Sequence, residues 1–257
     1  MTPGAKTRVD LLLVERGLAP SRERARAYIL AGRVLVSEQK IDKPGATVAG
    51  DAPVRLLGDD PPYVSRGGLK LAAALEHWQI AVEGRACLDV GASTGGFTDC
   101  LLQHGAARVT AVDTGFGQIA MKLRNDARVR LMERTNARFL EPGSLAAGTP
   151  AQGSPELTLL VMDVSFISAT LLLGPVLAAA SSLAEAVVLV KPQFEAGRGH
   201  VGKGGIVRDP AAHQLAVDKV AECVRLLGWE VVETIPSPIT GAEGNKEFLL
   251  YARCGKA

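Results

Sequence analysis

In the stretch Arg85-Ala-Cys-Leu-Asp-Val-Gly-Ala-Ser-Thr-Gly-Gly-Phe-Thr-Asp99, the short apolar run from Ala86 to Val90 reads as a buried strand. Glycines and hydroxyls follow, and Phe97 to His104 then takes up helical spacing, so the segment is expected to be a strand, a tight turn and a helix. Glycine at 91, 95 and 96 lets a ligand approach the backbone, and the unpaired N–H groups that open a helix favour a polar or anionic guest. Glycine turns after strands also serve packing, so the turn alone leaves both readings open. The spacing is not Gly-x-Gly-x-x-Gly, which argues against a dinucleotide. After the next strand, Arg108 to Val112, stands Asp113, about twenty residues past the turn, where a carboxylate can hold ribose hydroxyls. A turn of this kind with a ribose-holding acid points to an adenosyl compound.

Working outward, further strands are expected at Val129–Met132, Leu157–Met162, Ala186–Val190, Glu230–Ile235 and Glu247–Ala252. Helices are expected from Gly67 (with Leu71, Leu75 and Trp78 on one stripe), over Ile119–Asn125 and over His213–Leu227. Continuous apolar strands alternating with helices define an α/β fold, a doubly wound parallel sheet, whose last two strands pair antiparallel because no helix separates them. Pro142 to Pro155, rich in small residues and proline, reads as a surface loop without chemistry.

In such a sheet ligands sit beyond the carboxyl ends of the strands. Gly91, Asp113, Asp163 and Lys191 each follow such an end, and Glu247 opens a strand running the other way, so its first residue reaches the same edge. A lysine ending a buried strand needs partners, and Asp163 and Glu247 are suitable. That cluster reads either as a plain ion network or as a base for an alcohol, since an amine that is neutral at the moment of attack can take a hydroxyl proton. Lys70 could be a second cation that lowers the amine's pKa, although a lone helical lysine is ordinarily on the surface.

The first 58 residues form a separate small unit. A helix around Leu11–Val14 ends at Gly17, and Ser21 caps a second, Arg22–Ala31. Val34 and Val36 alternate as a strand, Ser37 to Lys40 turns, and Thr47-Val48 and Val54–Leu57 are further strands. Arg22, Arg24, Arg26 and Arg33 gather near one helix start, as a phosphate backbone or merely solvent would favour. Residues 59–66, with Pro61 and Pro62, read as a semi-rigid extended linker.

Net charge is only +2, so a nucleic-acid reading must rest on where basic residues cluster. Cys87, Cys100, Cys223 and Cys254 show no Cys-x-x-Cys spacing, which points to reduced core thiols rather than zinc or a disulfide scaffold. No metal is expected. The longest apolar run, Leu171–Ala180, is too short to span a bilayer and nothing resembles a signal peptide, so a cytoplasmic, monomeric protein is expected.

Two sets of motifs resemble known families. Arg8-Val-Asp-Leu-Leu-Leu-Val-Glu-Arg-Gly17, Ser21-Arg-Glu-Arg-Ala-Arg26, Gly32-Arg-Val-Leu-Val36 and Lys43-Pro44 are similar to the alpha-L RNA-binding module of the ribosomal protein S-four type. Members often have Asn-Gly in the hairpin where this chain has Ser37-Glu38-Gln39-Lys40. Tyr63-Val-Ser-Arg-Gly-Gly-Leu-Lys-Leu71, the stretch Asp89–Asp99, Val112–Gln118, Glu133-Arg-Thr-Asn136, Asp163-Val-Ser-Phe-Ile-Ser168, Val190-Lys-Pro-Gln-Phe-Glu195 and Asn245-Lys-Glu-Phe248 resemble the TlyA, or hemolysin-A-like, rRNA methyltransferases. The order Lys70, Asp163, Lys191, Glu247 matches the Lys-Asp-Lys-Glu tetrad of FtsJ-like ribose 2′-O-methyltransferases.

The resemblance implies a Rossmann-like class I methyltransferase domain at residues 67–257, with seven strands of which the last is antiparallel. It follows an α+β RNA-binding domain at 1–58 and a linker at 59–66. It implies S-adenosylmethionine as donor and a cytidine ribose of rRNA as acceptor, in the small subunit and in some members also the large. Lys191 would be the base, Lys70 its electrostatic partner, and Asp163 and Glu247 the positioning carboxylates. Gly91, Ser93, Gly95, Asp113, Asn136 and Asp163 would hold the donor. Arg8, Arg22, Arg26, Arg33, Lys43 and Arg66 would meet RNA, with Phe166 stacking on the target base, although a phenylalanine after a strand more often joins the core. Arg198 and Lys203 lie in a glycine-rich segment, Phe194–Arg208, expected as a mobile basic loop that orders on RNA. Pro61-Pro62-Tyr63-Val64 replaces the Arg-x-Trp-Val of mycobacterial members. A dehydrogenase, a non-catalytic assembly factor and a membrane-active haemolysin are the rival readings. The haemolysin is poor physics without an apolar span or a strongly amphipathic cationic helix.

Overall fold

Ala86–Val90 is a strand with all five residues buried in the computed structural model of the chain, which describes residues 6–30, 32–58, 62–145, 156–241 and 244–255. A strand buried on both faces needs cover on both sides. The chain divides into two units, residues 1–60 and 61–257.

In the first unit β1 (Lys6–Arg8) runs into α1 (Val9–Glu15), followed by α2 (Arg22–Leu30), β2 (Val34–Val36), β3 (Gln39–Ile41), β4 (Thr47–Ala49) and β5 (Val54–Leu56). Its core is Val9, Leu13, Ala19, Ala25, Tyr28, Ile29, Val34 and Val36. Ser21 Oγ accepts from the Arg24 amide at 3.2 Å and caps α2, as its sequence position indicates. β1 pairs with β4, and β2 lies between β3 and β5, all antiparallel. The turn expected over Ser37–Lys40 is shorter. Ser37 (φ 49°) and Glu38 (φ 64°) make the whole connection, and Gln39 already pairs with Val36. The left-handed conformation at both positions is that of a two-residue hairpin turn, so the hairpin survives without Asn-Gly. β1 and β3 are polar and carry no apolar alternation, which is why the sequence pattern does not reveal them.

The second unit contains α3 (Gly67–His77), β6 (Ala86–Val90), α4 (Gly96–Gln103), β7 (Arg108–Val112), α5 (Met121–Arg124) and β8 (Val129–Met132). After these come β9 (Leu157–Met162), α6 (Thr170–Ala179), β10 (Glu185–Val190), α7 (Pro192–Glu195), α8 (Pro210–Leu226), β11 (Trp229–Pro236) and β12 (Phe248–Cys254). The sheet order is β11-β12-β10-β9-β6-β7-β8, with β6 to β10 parallel and β12 antiparallel to both β10 and β11. Period-two alternation sorts the strands between two cores. Leu88, Val90, Leu160 and Met162 face α6 and α8, whereas Cys87, Val109, Leu159 and Val161 face α3 and α4. α8 starts earlier than expected because Asp209, not the apolar pattern, sets its beginning, accepting from the Ala211 amide at 2.9 Å ahead of Pro210.

Several expectations fail for identifiable reasons. Residues 62–66, within the expected semi-rigid linker, pack on the second unit. Tyr63 is buried, the Val64 amide donates to Asp99 Oδ2 at 2.8 Å, and Gln103 Nε2 donates to the Pro62 carbonyl at 2.8 Å; residues 59–61 lie outside the described residues. Cys87 and Cys100 are buried thiols, but Cys223 is half-buried and Cys254 exposed at the end of its strand. Much of the loop expected at Pro142–Pro155 lies outside the described residues, while Leu145 is buried in the α6 core.

Candidate active site

The turn after β6 is shaped by its neighbours. Gly91 (φ 88°) lies so near the next loop that a Cβ there would stand 2.4 Å from the Asp163 carbonyl oxygen. At Gly95 (φ 96°) it would meet Leu123 Cδ1 at 2.2 Å, and at Gly96 Ser65 Oγ at 2.3 Å. Glycine at these three positions therefore allows close packing of protein on protein. Ser93 takes φ 50°, and its amide donates to Asp113 Oδ2 at 2.7 Å, while the Gly115 amide donates to Oδ1 at 2.6 Å. Asp113 thus ties two loops together. A carboxylate has about four lone-pair sites, so acceptor capacity remains for a ribose.

Two cavities open along the carboxyl edge. The smaller, about 490 Å³, is lined by Gly91, Ser93, Asp113 and Asn136 among others; the larger, about 710 Å³, by Lys70, Lys191, Glu247 and Arg66. They abut, sharing Gly91, Ser93, Asp163, Ser165 and Phe166. Gly95 lines neither. Asn136 Oδ1 accepts from the Arg138 amide at 3.0 Å, which places the side chain at the start of the turn beside the smaller cavity.

Lys70, Asp163, Lys191 and Glu247 come together as two ion pairs. Lys70 Nζ is 2.6 Å from Glu247 Oε2, and Lys191 Nζ is 2.5 Å from Asp163 Oδ1. Lys70 is not the surface lysine its helix suggests. It is 8% exposed, as is Lys191, and Glu247 is 4% exposed. Burial at this level requires a counter-charge for each ammonium, and each has its own.

Further residues, which spacing alone does not single out, complete the site. Ser165 Oγ accepts from Lys191 Nζ at 2.7 Å. Gly241 lets its loop cross Glu247, since a Cβ would sit 2.5 Å from Oε1. Buried Asn245 accepts from the Val207 amide and donates to the Gly205 carbonyl, both at 2.9 Å. Those bonds anchor the 205–207 end of the Phe194–Arg208 segment, which has short 3₁₀ turns at Arg198–His200 and Lys203–Gly205 with Arg198 and Lys203 exposed. Asp89, inside β6, is fully buried with one oxygen accepting from Thr98 Oγ1 at 2.6 Å. Burial pushes its carboxyl up to about 7, with Thr98 opposing and the negative Asp163 and Asp113 adding to the rise.

Phe166 is not in the core. It is 92% exposed, holds a left-handed backbone (φ 65°) and lies 5.5 Å from the Phe194 ring between centroids. Such a conformation costs a non-glycine residue roughly 1–3 kcal/mol, which folding alone does not require of an exposed ring.

In the first unit, Arg8 and Arg22 both grip buried Asp10, with contacts of 2.9 Å each, and chiefly the Arg8 hydrogen bonds draw its carboxyl down to about 2. Arg26 and Lys43 are exposed. Arg33 donates to the Leu57 and Gly58 carbonyls at 2.9 Å and stacks 4.8 Å over Tyr28, so it also ties the first unit together.

Residues 63–254 match the FtsJ-like methyltransferase family and residues 7–54 the S4 domain. The chain is 46% identical to "16S/23S rRNA (cytidine-2'-O)-methyltransferase TlyA" of Mycobacterium tuberculosis, covering 96% of this chain and 90% of that one. It is 40% identical to "Hemolysin A" of Brachyspira hyodysenteriae, covering 95% and 98%. A solved Streptococcus thermophilus structure, provisionally described as a hemolysin, superposes with a TM-score of 0.73 at 40% identity over 98% of this chain and 90% of that one. Among the described residues no helix is long and apolar enough to cross a membrane. By sequence and by architecture, the chain belongs to the FtsJ-like methyltransferase family, in its S4-bearing TlyA and hemolysin A branch.

Proposed function

We propose that this protein methylates the 2′-hydroxyl of a cytidine ribose in rRNA, with S-adenosylmethionine as donor. The small ribosomal subunit is the first acceptor to test and the large subunit the second. The observation that carries the reading is the pair of lysine–carboxylate bridges lining the larger of two abutting cavities, with Asp163 in the wall common to both.

The smaller cavity fits the donor chemically: Asp113 offers acceptor sites to a ribose, and Asn136 offers amide chemistry at the far wall. When bound, S-adenosylmethionine supplies an electrophilic methyl on a sulfonium. Lys191, in its neutral form, accepts the hydroxyl proton as the ribose oxygen attacks, and releases it later to water. Asp163 orients Lys191 through their 2.5 Å contact. Lys70, held by Glu247, supplies positive charge beside the developing oxyanion. Phe166 and Phe194 offer an aromatic surface on which the acceptor base stacks. The S4 unit binds the RNA through Arg8, Arg22, Arg26 and Lys43, and the catalytic unit has its own cationic contacts in Arg66, Arg198 and Lys203. A protein acting on ribosomal subunits works in the cytoplasm.

The test is methyl transfer from labelled donor to purified ribosomal subunits. Lys191→Ala should abolish transfer while RNA binding persists. Transfer that survives in that variant would refute the assignment, and RNA binding by the parent protein without any transfer would return the assembly-factor reading.

A further inference from the structure

Lys191 has two partners, and only one of them is a carboxylate. Its Nζ lies 2.5 Å from Asp163 Oδ1 and donates to Ser165 Oγ at 2.7 Å. Asp163 and Ser165 belong to the loop that follows β9, and Lys191 follows β10, which pairs with β9 in parallel. Adjacent parallel strand ends thus present a carboxylate counter-charge and a hydroxyl acceptor to one amine. Ser165 also stands in the wall shared by the two cavities, where donor and acceptor would meet.

We infer that Ser165 is the positioning residue that aims the lone pair of Lys191 at the acceptor hydroxyl; this rests on the reading of Lys191 as the base. A neutral amine has two N–H bonds and one lone pair in tetrahedral array. Ser165 Oγ holds one of those N–H bonds, whereas Asp163 Oδ1, close enough to supply charge, has no hydrogen-bond partner. The bond to Ser165 confines the lone pair to the remaining positions about the Cε–Nζ bond of an amine that lines the larger cavity, and without it the amine would be free to turn. In the transfer step the O–H bond breaks, its proton goes to Lys191 Nζ, the oxygen pair forms the new O–CH₃ bond, and the C–S bonding pair stays on sulfur. Ser165 neither gains nor loses a proton; it fixes the angle of approach.

The test uses the full chain with Ser165→Ala and Ser165→Thr. Ser165→Ala should lower plateau kcat about tenfold with little change in KM for the donor. It should also leave Tm and calorimetric donor binding unchanged. Ser165→Thr, which keeps the oxygen, should restore the rate. Unchanged plateau kcat in Ser165→Ala, no recovery in Ser165→Thr, or a loss explained wholly by lower Tm and weaker donor binding, would overturn the inference. Full activity of Lys191→Ala would instead remove the reading on which it rests.

Discussion

Replacing Glu247 by alanine leaves Lys70 as a buried ammonium without its 2.6 Å partner. Breaking a buried pair from one side costs about 3–5 kcal/mol. Lys70 and Glu247 face a cavity that water can enter, so the lower end of that range, roughly 3 kcal/mol, applies. For a unit of this size 1 kcal/mol moves Tm by about 2–4 °C, and the variant should melt about 6–12 °C lower. The double variant Lys70→Met/Glu247→Leu removes both charges and should recover most of that loss, because replacing a buried pair with apolar side chains is often neutral or better. Methyl transfer should be lost in both. Scanning calorimetry with parallel transfer assays reads the two quantities together. A Glu247→Ala variant that melts within 2 °C of the parent would refute the argument that Lys70 needs a counter-charge, as would a double variant that retains transfer.

Four further outcomes are expected. Gly91→Ala, whose Cβ would stand 2.4 Å from the Asp163 carbonyl oxygen at φ 88°, should abolish donor binding by calorimetry, and unchanged affinity would contradict the close approach. Phe166→Ala, at a 92% exposed position, should leave Tm unaltered and reduce kcat/KM by about 5- to 150-fold, equivalent to the 1–3 kcal/mol of one stacked base. Asp10 is held down to about 2 against an ordinary 3.8, so its contribution is complete above about pH 4 and lost as pH falls through 2. Screened by solvent, it should amount to roughly 1 kcal/mol, absent in Asp10→Asn when denaturation is compared at pH 5 and pH 2. Asp89 is shifted the opposite way, up to about 7, so the stability linked to its protonated form is full below about pH 4 and falls as pH rises toward 7. Asp89→Asn should therefore raise Tm at pH 8 but not at pH 4.

The strands of the sheet were legible because an apolar run buried on both faces has few other uses, and Leu157–Met162 has the bounds its composition implies. The gathering of Asp163, Lys191 and Glu247 followed from strand direction alone. What was not legible depends on contacts made from elsewhere in the chain. Lys70 reads as a surface lysine until Glu247 is placed beside it, and Arg33 reads as free until the Leu57 and Gly58 carbonyls reach it. Asn245 is an ordinary polar residue in sequence, yet it holds a segment whose glycines suggest mobility. The pairing within the tetrad, Lys70 with Glu247 and Lys191 with Asp163, is likewise a property of side-chain reach rather than of spacing.

The most direct test of the account is mass spectrometry of rRNA after single-turnover reaction of ribosomal subunits with the parent protein and with Lys191→Ala. A methyl on a cytidine ribose that appears with the parent and is absent with the variant, while both bind donor and RNA, is the expected result. A methyl found on a base, or a ribose methyl formed by Lys191→Ala at the parent rate, would contradict it.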